Sequence, residues 1–166
     1  RHLGKSGWQV IVGARDEGRA EAAVESLKKD GADIMGWQYV NLSDNKEIES
    51  SAKGIANAYP TLSLLINNAG IPGDMAVRSY EQSLQDAIDT VQVNYIGTFL
   101  LTKLLLPVLE KNHGRICNIT VPSSFSPFWH PMAYVASKAG QNTMVSTMAW
   151  EFEHFNVPVE IFDIHP

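Results

Sequence analysis

Apolar residues run along this 166-residue chain in two alternating rhythms. Short, nearly unbroken apolar runs predict buried strands over residues 8–13, around Val10-Ile11-Val12, and again over 37–42, 62–66, 115–120 and 159–164. Between them, apolar positions recur at helical spacing. Ala20, Ala23, Val24 and Leu27 predict a helix over 20–29 with Gly31 as its stop. Further helices are predicted over 45–59, 84–109 and 133–155. The first of these opens after Ser43-Asp44, either of which can cap it. Residues 1–7 read as the tail of a helix that Gly7 ends. Strands apolar on both faces and separated by helices imply an α/β architecture, a parallel sheet with helices on both faces.

Composition narrows the class. With 45% hydrophobic and 19% charged residues the chain matches an ordinary soluble globular domain, and its length suits a single domain over 1–166. The net charge is −5, and Lys and Arg are scattered, so neither a nucleic acid nor an anionic membrane is an expected partner. Cys117 is the sole cysteine, which excludes an internal disulfide. Its apolar surroundings predict a small buried thiol, and a reducing cytoplasmic compartment fits it. The longest apolar run, 98–109, is broken by Lys103 and Pro107 and is too short to span a bilayer. Neither end looks like a targeting signal.

Four segments carry chemistry. Asn67-Asn68-Ala69-Gly70 follows a predicted strand, and Asn94 sits in Val93-Asn94-Tyr95-Ile96-Gly97. Tyr134 stands one helical turn before Lys138, and Pro166 follows the last strand. Asn and Gly are common turn residues, and a spacing of four is common on helices, so no single segment is decisive. Together, in this order and on these elements, they resemble the short-chain dehydrogenase/reductase family, and the likeness runs through essentially the whole chain.

The resemblance implies a Rossmann-type, doubly wound parallel sheet and an oxidoreductase that interconverts a carbonyl and a hydroxyl of a small molecule. It implies Tyr134 as acid/base, Lys138 as its partner and ribose ligand, and Asn94 as holder of a proton-relay water. The chemistry agrees: a phenol of pKa ~10 is a poor acid or base at neutral pH, and a cation one turn away favours phenolate. The same resemblance sets Asn68, Ala69, Gly70 and Pro166 against the cofactor and Asn41 and Leu42 near its adenine. It also implies a homodimer or homotetramer, built on the helices of 98–109 and 133–155. Where users of NAD place an acid, this chain has Ala14 followed by Arg15, which suits the 2′-phosphate of NADP. Asp16 keeps NAD as the lesser alternative.

The chain also departs from the family. No G-x-G-x-x-G turn occurs, so a strand and glycine-rich turn are expected before Arg1, and a substrate segment after Pro166. The fold is thus expected to be incomplete at both ends. Counting back thirteen residues from Tyr134, or forward along 114–121, the position of the catalytic serine holds Val121. Thr120 should face the opposite side of its strand. Ser123 and Ser124 follow Pro122, and Ser123 is the preferred substitute. Val121 also keeps open a non-catalytic dinucleotide-binding or scaffolding relative. Phe128, Trp129, His130 and Met132 are candidates for an apolar substrate pocket. His154 with Glu151 and Glu153 reads as a solvated helix end, not a metal set.

Overall fold

The computed structural model describes residues 1–122 and 131–166. Ser123, Ser124, Phe128, Trp129 and His130 lie outside the described residues. The described chain divides into two compact units, residues 1–41 and 42–166.

In the first unit, helix α1 (His2–Lys5) ends at Gly7, whose φ of +89° only glycine adopts freely, as its place after a helix tail predicts. Strands β1 (Val10–Ala14) and β2 (Ile34–Tyr39) pair in parallel, with a register shift between Val10 and Ile11. Helix α2 (Glu17–Lys29) connects them. Asp16 caps it by accepting from the Arg19 amide at 2.8 Å, and Lys28 and Lys29 complement the dipole at its other end. β2 begins three residues before its predicted start, because Gly36 is tolerated within the strand. Asn41 and Leu42, predicted to end β2, therefore lie beyond it.

In the second unit, helix α3 (Asn45–Ala58) is capped by Asp44, whose Oδ1 accepts from the Lys46 and Glu47 amides at 2.8 and 3.1 Å. Strands β3 (Leu64–Asn67), β4 (Arg115–Ile119) and β5 (Glu160–Ile164) form a parallel sheet with β4 in the middle. The described strands thus form two parallel sheets, one in each unit. Helix α6 (Met132–His154) packs on β5, and α3 packs on the long helix that precedes β4. Ile48, Leu105, Leu109 and Ile116 are fully buried, and burying each such side chain contributes about 1.5–3 kcal/mol.

That long helix is not uniform. It comprises α4 (Leu84–Val91), a π-turn (Gln92–Gly97) and α5 (Thr98–Lys111). Over its 28 residues it is long and apolar enough to cross a membrane by length and composition alone. Yet Leu101, Leu105 and Leu109 of α5 are core residues. Pro107 lies on an exposed face, so water can serve the Lys103 carbonyl its ring leaves unbonded.

Gly97 closes the π-turn. A Cβ there would collide with the Leu42 carbonyl oxygen and come within 2.9 Å of the Leu42 Cβ. Gly97 has ordinary helical angles, so Ala would gain about 1 kcal/mol in propensity. The collision is with backbone, which cannot rotate away, and overpacking of this kind costs about 1–3 kcal/mol or more. We expect Gly97→Ala to lose about 2 kcal/mol net, lowering the thermal midpoint by roughly 4–8 °C in a scanning calorimeter. An unchanged midpoint would contradict this packing.

Candidate active site

The turn Asn67-Asn68-Ala69-Gly70 leaves β3 at its carboxyl end, where ligands of open parallel sheets bind. Its first asparagine is structural. Asn67 is buried and its Nδ2 donates to Thr102 Oγ1 and Asn118 Oδ1, both at 2.9 Å, tying β3 to α5 and β4. Asn68, Ala69 and Gly70 are exposed.

Asn94 of the π-turn is fully buried, a place a polar side chain keeps only with its hydrogen bonds made. Its Oδ1 accepts from the Ile71 amide at 2.8 Å. Its Nδ2 donates to the Ile71 carbonyl at 2.9 Å and to Ser137 Oγ at 3.1 Å. Ser137 Oγ in turn donates to the Tyr134 carbonyl at 2.7 Å. One asparagine therefore joins the turn after Gly70 to the first turns of α6.

Lys138 completes the cluster. It is buried, and its Nζ donates to the Ile119 carbonyl at 2.7 Å and lies 5.9 Å from the Tyr134 ring centroid. Gly70 admits this crowding: a Cβ there would stand 3.1 Å from Asn94 Oδ1 and 3.8 Å from Lys138 Nζ. The fold brings Gly70, Asn94, Tyr134 and Lys138 together, as the sequence motifs require.

The electrostatics differ from expectation. Burial pushes the Tyr134 phenol up and the Lys138 ammonium down. Desolvation outweighs any pull of the ammonium on the phenol in this geometry. Tyr134 is therefore protonated at neutral pH, the form a proton donor needs.

A model of the family described as short chain dehydrogenase matches residues 1–166. The chain belongs to the short-chain dehydrogenase/reductase family. Its fold is the Rossmann-type α/β fold of that family. It is 32% identical over 162 residues to a 3-oxoacyl-(acyl-carrier-protein) reductase of Staphylococcus aureus, covering 95% of this chain and 63% of that protein. An uncharacterized oxidoreductase of Bacillus subtilis is 29% identical over 154 residues, covering 92% and 55%. A metagenomic short-chain oxidoreductase solved in complex with NADP superposes with a TM-score of 0.86 at 25% identity, over 99% of this chain and 73% of that one. An actinorhodin polyketide ketoreductase variant solved with NADPH gives 0.86 at 28% identity, over 99% and 62%. The chain spans about three fifths of the length of the curated relatives it matches.

In this member of the short-chain dehydrogenase/reductase family, the residues around the cluster fall as follows. Val121 is half-buried, and its carbonyl accepts from Asn142 Nδ2 at 2.8 Å. Thr120, just beyond β4, is 1% exposed, with a buried hydroxyl that has no partner among the described residues. Leu42 is buried and its carbonyl accepts from Gln92 Nε2 at 3.3 Å. Pro166 is exposed beyond β5, and Met132 is exposed on the first turn of α6. In the first unit, Arg15 is exposed just after β1, while the neighbouring Asp16 is committed to capping α2. His154 stacks on Trp150 at 4.8 Å, and its ring stands perpendicular to that of Phe155. Cys117 is a buried free thiol, pushed up by burial and by Asp163, as expected of an unreactive one.

Sequence reasoning missed Ser137, Gln141 and the Ile119 carbonyl. The signal for the first two was present: Tyr134, Ser137, Lys138 and Gln141 recur at helical spacing, so three polar residues share a face with the tyrosine. Also unforeseen was Asp86, which accepts from the Asp74 amide and Gln82 Nε2 and thereby anchors the loop after Gly70. Those hydrogen bonds hold its carboxyl below the usual carboxylate range.

Proposed function

We propose that the protein carrying this chain, with residues 1–166 as a dinucleotide-binding and catalytic domain, is an oxidoreductase. It interconverts a carbonyl and a hydroxyl of a small-molecule substrate with NADP(H). The observation that carries this reading is the junction at Asn94, which sets Tyr134, Lys138 and Gly70 around one spot. A bare Gly70 beside an exposed turn is a surface a cofactor can approach closely, so the residues present fit a dinucleotide. When bound, the nicotinamide supplies or takes the hydride.

The chain's own groups handle the proton. The Tyr134 hydroxyl donates to the substrate oxygen as charge develops on it, and takes the proton back in oxidation. Lys138, its ammonium made more acidic by burial, passes a proton toward the phenol and holds the ribose. The Asn94 side chain spends its hydrogen bonds within the protein and its carbonyl already accepts from Gln141 Nε2, so a relay water would share that carbonyl through its second lone pair.

NADP is preferred to NAD because Arg15 is exposed after β1 and Asp16 is occupied as a cap. Relatives solved with NADP and NADPH support this choice. NADPH should bind more tightly than NADH, and Arg15→Ala should weaken NADPH by about 1–3 kcal/mol with little effect on NADH. Fluorescence titration of both cofactors decides, and equal affinities rule the preference out. A homodimer or homotetramer built on α5 and α6 fits their exposed apolar residues, Phe99 on α5 and Met132 and Trp150 on α6. A cytoplasmic location fits the single reduced cysteine. One observation favours a second reading, a non-catalytic relative on the same fold: Val121 offers the substrate no hydroxyl.

A further inference from the structure

Gln141 is a fully buried polar residue in the middle of α6, one turn beyond Lys138. Its Nε2 donates to the Asn94 carbonyl at 2.7 Å. Its Oε1 is buried too and has no partner among the described residues. A buried oxygen without a partner costs stability, and a leucine would fill the same space without that cost. Packing alone therefore does not explain a glutamine here.

The amide reaches Asn94 because two features converge. Gly140 lets α6 come close to the π-turn, since a Cβ there would stand only 3.2 Å from the Tyr95 ring. The π-turn also displaces the helix's own hydrogen-bond ladder, which lets a carbonyl turn toward an outside donor. We propose that Gln141 is a positioning residue, clamping the Asn94 backbone so that the Asn94 side chain holds Ile71 and Ser137 in register around Tyr134 and Lys138. This rests on the oxidoreductase reading above. Gln141 touches neither reacting group; it acts through Asn94.

The test is a double-mutant cycle in the complete protein, with Gln141→Leu, Asn94→Ala and the pair. Gln141→Leu should fold with a midpoint close to wild type, since it removes an orphan oxygen along with a donor. It should lower kcat about tenfold, roughly what one misplaced contact costs, with KM for cofactor nearly unchanged. In the Asn94→Ala background the same change should lower kcat by less than about twofold, because the residue it acts through is gone. Amide exchange at Ile71 should speed up in Gln141→Leu, a readout that needs no turnover. Gln141→Met serves the same cycle if the leucine variant does not fold. The proposal is overturned by equal losses in both backgrounds, by an unchanged kcat, or by unchanged exchange at Ile71. A wild type without turnover overturns the oxidoreductase reading and this one together, whereas active wild type with additive losses sinks this one alone.

Discussion

Tyr134→Phe is expected to lower kcat for carbonyl reduction by ~10²–10⁴-fold, the usual worth of a positioned general acid. Cofactor affinity should stay almost unchanged, because only the hydroxyl is removed while Lys138 and Gly70 keep their places. The direction of the phenol's shift adds a pH signature. Burial raises the pKa, so wild-type reduction should be flat through neutral pH and fall only as pH rises through that raised value. Alcohol oxidation needs the phenolate, so its rate should rise over the same alkaline limb. The phenylalanine variant should show neither limb. Lys138→Ala, by contrast, should damage both turnover and cofactor binding, because it serves the phenol and the ribose. Steady-state rates across pH, with cofactor titrations beside them, check all of this. A Tyr134→Phe protein that keeps most of its activity on an accepted carbonyl would refute the mechanism.

The second large effect concerns the missing hydroxyl. A substrate oxygen that has lost one of two donors typically reacts ~10²–10³-fold more slowly. If Val121 occupies the donor position, wild type should be sluggish and Val121→Ser should speed it by a factor in that range. The new hydroxyl would also carry some stability cost in its half-buried place. If Ser123 takes over instead, Ser123→Ala should cause the loss, and Val121→Ser should do little. Thr120 is a poor third candidate, since its hydroxyl is enclosed and its amide donates to the Ile164 carbonyl at 3.0 Å. Turnover of both variants on a panel of carbonyl compounds separates these outcomes. Should wild type and both variants all be inactive, the binding-protein reading replaces catalysis.

Element order and most boundaries were legible in the sequence, because strands and helices here have distinct periods and clear stops. Gly7, Gly31 and Asp44 mark helix ends where turn and cap chemistry say they should. Tyr134, Lys138, Asn94 and Gly70 were legible as a motif, and their meeting follows from the order of the elements. The π-turn was not legible, since Gln92–Gly97 falls inside the single helix predicted over 84–109 and a π-turn differs from an α-helix only in its hydrogen-bond ladder. Gln141 shares the helical face of Tyr134 and Lys138, but its partner stayed hidden, because that partner is a backbone carbonyl 47 positions away, which no local pattern encodes. The charge balance of the pair Tyr134 and Lys138 was misjudged because spacing reveals proximity but says nothing of desolvation.

The π-turn has an evolutionary side. One extra residue in a continuous helix shifts the phase of everything after it by about 100°. Deleting a single residue within Gln92–Gly97 would restore a regular helix, yet would swing Leu101, Leu105 and Leu109 away from the core they fill. Point substitutions along this stretch are thus far easier to accept than a change in its length. The count of residues between Val91 and Thr98 is itself inherited information, and drift in it would erase the core and Asn94 at one stroke.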